Sequence, residues 1–77
     1  MGLPMRKDPP EFIEVEGHRL WVPLRRMRVG SSIFVPCLTP AHGRKPFEAI
    51  CKEFSVKFAY RERIENDLVG IRVWRVL

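Results

Sequence analysis

Apolar and polar residues alternate in three stretches of this chain and recur at helical spacing in a fourth. From Phe12 to Val22, Glu14 and Glu16 flank Val15, and Leu20, Trp21 and Val22 close the run. With Gly17 in the middle, this predicts a short hairpin turning near Glu16-Gly17 and stopped by Pro23. Ser32–Pro36 (SIFVP) is rich in β-branched and aromatic residues and predicts a strand ended by its proline. In Val56–Arg63, Val56, Phe58 and Tyr60 point one way, and Lys57, Ala59 and Arg61 the other. Val69, Ile71 and Val73 repeat the pattern, opposite Arg72 and Trp74. With a turn at Glu65-Asn66-Asp67, Val56–Arg63 and Val69–Val76 form an antiparallel hairpin.

Between the strands, Phe47, Ile50, Cys51 and Phe54 fall at i, i+3, i+4 and i+7, one face of a helix. Pro46 suits a first helical position, where its missing N–H costs nothing, so the helix is expected from Pro46 to Phe54. Cys37–Lys45, with Thr39-Pro40 and His42-Gly43, reads as a loop. Leu24–Gly30 reads as an extended linker or a single turn. The layout is an α+β domain: a small antiparallel sheet with one amphipathic helix, in the order β-hairpin–β–α–β–β. Phe47, Ile50, Phe54, Phe58 and Ile71 are its expected core, with Ile33 and Val35 adding to it. Residues 12–77 make a single domain. Met1–Glu11, with three prolines and no periodicity, reads as a mobile tail.

Seventy-seven residues hold one domain at most. A hydrophobic fraction of 45% is enough for a packed core and argues against disorder. No apolar run approaches a membrane span, and no secretory pattern opens the chain. Two cysteines, Cys37 and Cys51, make no disulfide framework, and a reducing compartment is expected. Cys51 reads as a small core residue. Cys37, Cys51, His18 and His42 could be counted as four metal ligands, but they lack the tight pairing of a structural zinc site, so no metal is expected. Both histidines read as exposed loop residues. Ser31, Ser32 and Ser55 have no base nearby in sequence, and no nucleophile elbow or phosphate-binding loop is present. The expectation is a non-enzyme without cofactors.

Charge changes the picture most. The net charge is +5, and ten of the fourteen cations are arginine. By segment the charge is 0 for residues 1–11, +2 for 12–30, +1 for 31–54 and +2 for 55–77, so it lies on the folded part. Alternation puts Lys57, Arg61 and Arg63 on the same side as Arg72 and Trp74. Like charges across a sheet repel, and a face that carries them suits an anion. A tryptophan among cations suits stacking on a base or anchoring a partner. The same face also reads as a solvated surface relieved by Glu62, Glu65 and Asp67. Arg25, Arg26 and Arg28 form a second basic cluster, suited to phosphate or an acidic protein surface, or serving simply as a basic connector.

The segments Val29-Gly30-Ser31-Ser32-Ile33-Phe34-Val35-Pro36, Lys57-Phe58…Arg61 and Gly70-Ile71-Arg72-Val73-Trp74-Arg75-Val76 resemble a group of very small bacteriophage proteins. That group shares V-G-x-S-x-F-V-P, K-F-x-x-R and G-[VI]-R-V-W-R strands in this order. The resemblance covers about residues 24–77, and the hairpin of residues 12–22 stands outside it. It implies a phage protein in the cytoplasm of an infected bacterium. Small phage proteins commonly occupy a site on host machinery, with host RNA polymerase a frequent target. The leading expectation is a non-enzymatic regulator that binds the host transcription complex, polymerase with or without its nucleic acid. A stand-alone DNA- or RNA-binding domain, or an inhibitor of another host or defence protein, is the alternative.

Overall fold

The computed structural model describes residues 9–77; most of the expected tail lies outside them. Five strands and one helix follow in order: β1 (Phe12–Val15), β2 (His18–Trp21), β3 (Ser32–Pro36), α1 (Pro40–Phe54), β4 (Phe58–Glu65) and β5 (Leu68–Arg75). β1 and β2 form a two-stranded sheet, and β3-β5-β4 a three-stranded antiparallel one. This is the α+β arrangement that the patterns predict. Glu11, assigned to the tail from sequence, belongs with the hairpin, since its carbonyl accepts the Val22 N–H at 2.7 Å.

Both hairpin turns are two residues long. Glu16 and Gly17 have φ of 51° and 81°, Asn66 and Asp67 φ of 50° and 61°. Left-handed conformation at both turn positions matches the twist of paired strands. Asn and Asp tolerate it well, which takes Glu65 out of the expected turn and into β4. The β4–β5 register then runs unbroken from Phe58↔Arg75 to Glu65↔Leu68. Of the two readings of Leu24–Gly30, the single turn holds: Met27 N–H donates to Pro23 O at 3.0 Å. Leu24 and Met27 are buried there.

The helix begins six residues before its expected start. Proline does occupy its first turn, but the proline is Pro40, behind the N-cap Thr39. Pro46 lies inside the helix, where it cannot donate to a carbonyl one turn back. Gly43 is buried on the helix face toward β5; a Cβ there would stand 2.9 Å from Cys37 Sγ and 3.0 Å from Ile71 Cδ1. Close approach of helix to sheet explains the glycine.

Thr39 makes no side-chain cap. The Glu16 carboxylate, from the β1–β2 turn, does so from 23 residues away. It accepts Leu38 N–H at 2.7 Å and Thr39 N–H at 2.9 Å, and meets His42 Nδ1 at 2.9 Å. These bonds also explain a glutamate at a left-handed position that ordinarily favours Gly or Asn. The two backbone donors, then His42, hold the Glu16 carboxyl down at about 2 from 4.5. A depressed carboxyl contributes stability that is complete above the unfolded value and fades as pH falls toward the folded one. Wild-type stability should therefore decline between about pH 4.5 and 2, and acid titration of Glu16→Gln should lack this part of the decline.

The core joins the hairpin (Ile13, Val15), the turn (Leu24, Met27), the helix (Phe47, Ile50) and the sheet (Val35, Ile71, Val73). Phe47 meets Phe58 edge-on at 5.1 Å and Tyr60 at 6.5 Å between ring centroids. Four core expectations need correction. Phe54 and Phe58 pack against the core only half-buried, Cys51 is likewise half-buried, and Val69 is 48% exposed. Val69 and Ile64 lie near the tip of the β4–β5 hairpin and stay exposed with Leu38.

Candidate nucleic-acid interface

In antiparallel strands, residues directly opposite share a face. On the side of the three-stranded sheet away from the core, Arg61 stands opposite Arg72, Ala59 opposite Trp74, and Arg63 opposite Gly70. β3 adds Ser32 opposite Trp74 and Phe34 opposite Arg72. Lys57 continues the same alternation just before β4. None of these side chains belongs to the hydrophobic core. The register thus brings Lys57, Arg61, Arg63, Arg72 and Trp74 onto one face.

Their states differ. Arg72 is not free to take a further anion, because Glu65 fills its guanidinium fork. Arg72 Nε donates to Glu65 Oε2 at 2.8 Å, its Nη2 donates to Oε1 at 2.7 Å, and Nη1 reaches Ser32 Oγ at 2.9 Å. Hydrogen bonding to Arg72 lowers the Glu65 pKa, and the same pairing raises that of Arg72. Glu65 is the acid that relieves the face; Glu62 has the opposite parity and points to the other side. Trp74 is half-buried, with the Arg63 guanidinium 5.2 Å from its ring centroid. One face of the indole is therefore already covered. Arg61 and Lys57 are exposed, and among the described residues no carboxylate pairs with either.

Sequence reasoning missed Phe34 and its platform. At Gly70 an added Cβ would lie 2.2 Å from Val35 O and 2.8 Å from Phe34 Cζ. The Phe34 ring lies across the glycine, filling the space that any side chain would need. The visible signal was an isolated glycine inside a strand pattern, which marks close approach.

Arg25 and Arg26 line a separate pocket of about 220 Å³ with Trp21, which is 55% exposed, and with Pro10 and Pro23. Arg28 sits beyond them, its N–H donating to Ser31 Oγ at 3.1 Å. The basic cluster gathers around the hairpin tryptophan. The sequence pattern marks Trp21 only as the close of a strand.

His18 starts β2 and His42 lies on α1, so neither is a loop residue. Cys37 is buried, and burial pushes its thiol up, which disfavours the reactive thiolate. Among the described residues, no three His, Cys, Asp or Glu side chains gather as a metal site, and no helix is long and apolar enough to cross a membrane. No family model, curated protein or solved structure matches the chain.

Proposed function

We propose that the protein is a non-enzymatic regulator that binds nucleic acid through the outer face of its three-stranded sheet. The observation that carries this reading is the asymmetry of the Arg61–Arg72 pair. Arg72 has its own carboxylate, so Arg61 directly opposite carries a charge that the described fold leaves uncompensated, flanked by Lys57 and Arg63. Three cations along one strand match the spacing of a phosphate backbone better than a compact anion. Phe34 and Trp74 offer apolar ring surface beside them, as single-strand binding uses. The resemblance to small phage proteins suggests a host transcription complex as the setting, in the bacterial cytoplasm. Within it, the nucleic acid is the contact this face favours.

Anisotropy with labelled single-stranded and duplex oligonucleotides at graded salt tests the reading. Three phosphate contacts predict a log–log salt slope of about −2 on single strands. Arg61→Ala should flatten that slope by about 0.7. Arg72→Ala should chiefly loosen the hairpin and lower the melting temperature, because its charge is already neutralised. No binding by wild type at low salt, or an unchanged slope in Arg61→Ala, would remove this face from the mechanism.

A further inference from the structure

The sheet has two edges, and they are built differently. β3, five residues long, ends in Pro36. On β5, Val69 O accepts from Cys37 N–H and Arg75 N–H donates to Ser31 O, so odd-numbered positions of β5 bond toward β3. By alternation, Pro36 turns its missing donor to the free side, which blunts that edge. β4 has no such defence. It is eight residues long, unbulged and without proline. Val76 N–H donates to Lys57 O at 2.9 Å, and the two-residue turn closes on Glu65–Leu68, so odd positions of β4 bond toward β5. The backbone N–H and C=O groups of Phe58, Tyr60, Glu62 and Ile64 therefore face outward.

Below this edge, on the helix side, run two grooves. One, of about 570 Å³, lies between β4 and α1 and is floored by Phe58, Tyr60 and Cys51, with Lys52, Lys57 and one acid, Glu48, at its rim. Burial pushes the Tyr60 hydroxyl up to about 12, so it stays protonated. The second, of about 510 Å³, is lined by apolar Leu38, Pro40, Ile64 and Val69 and by the opposed charges of Glu62 and Arg63. On the opposite side, the same edge is lined by Lys57, Arg61 and Arg63.

We propose that β4 is a docking edge for an extended segment of a partner protein with alternating apolar and acidic residues. Such a segment adds a strand to the sheet. Its apolar residues drop into the two grooves, and its acids lie beside Lys57, Arg61 and Arg63. Charge selects against a second copy of this chain. Antiparallel self-pairing centred on Arg61, Glu62 or Arg63 sets arginine against arginine. The outward backbone and the helix-side grooves of β4 belong to this edge alone, whereas Lys57, Arg61 and Arg63 also serve the nucleic-acid face, so peptide and oligonucleotide compete for them.

The probe is a capped nine-residue peptide alternating valine with glutamate, compared with its valine–lysine twin. Binding is read by anisotropy, and amide exchange of the protein reports the site. The glutamate peptide should bind at least about tenfold more tightly than the lysine twin, and should slow exchange at Tyr60, Glu62 and Ile64. Glu62→Pro removes an outward donor without breaking a β4–β5 bond and should weaken the peptide about tenfold. Lys52→Glu, on the helix, should weaken it about threefold with the fold intact. If Glu62→Pro fails to melt cooperatively, Lys52→Glu and the exchange pattern decide. Neither variant alters the outer face, so both should keep oligonucleotide affinity, which separates this proposal from the preceding one. The proposal is overturned if the glutamate peptide does not bind, if the lysine twin binds equally, or if folded Glu62→Pro keeps full affinity. It also fails if wild type forms a dimer that Glu62→Pro dissociates.

Discussion

Phe47→Ala should remove a large share of the protein's stability. The ring has no exposed surface and touches the sheet through two edge-on aromatic contacts. Truncating a phenylalanine in such a site costs about 3–5 kcal/mol. A chain of this length has about 4–12 kcal/mol to lose. Urea melts of Phe47→Ala and Phe58→Ala, run side by side, check the packing. Phe58 keeps part of its surface exposed and should cost less. Equal losses would mean that the helix rests on β4 differently from the arrangement described.

Gly70→Ala should be nearly as damaging, by a different route. The new methyl would press against the Val35 carbonyl, which is backbone and cannot swing aside. β3 must then separate from β5 or Phe34 must leave the glycine. Overpacking of this kind costs about 3 kcal/mol or more where backbone has to move. Because Phe34 is part of the outer face, oligonucleotide affinity should drop together with the melting temperature. Normal stability and normal binding in Gly70→Ala would show that the sheet is looser at this crossing than its geometry implies.

These two positions show what the sequence made legible. Phe47 stood out because helical spacing repeats over several residues, and such a signal survives errors at the ends. The strand identities, the helix face and the grouping of Arg61, Arg72 and Trp74 were readable for the same reason. Periodicity says which side a residue takes but not what it meets there. Glu65 could be named among three acids as a relief for the face; that it alone grips Arg72 depends on the turn being two residues long. Trp21 and the cluster Arg25-Arg26 come together through the chain's path after Pro23, which no local pattern encodes. The missed start of α1 has the same origin. Pro46 suits a first helical position in the sequence but lies inside the helix, and the group that makes Thr39-Pro40 the entrance comes from Glu16, far away in sequence.

That remote cap makes the helix's first turn a late event in folding. Nucleating a helical turn is unfavourable on its own, and this one opens without an acid in its first turn and with a proline further in. The bonds that offset the cost span 22 to 26 residues, so a loop of that size has to close before the turn gains anything. The β1–β2 hairpin, by contrast, closes through a two-residue turn and needs no long loop to close. The order of assembly therefore runs against the visual hierarchy of the fold. On loop closure alone, the small hairpin is expected to form ahead of the helix entrance that it holds.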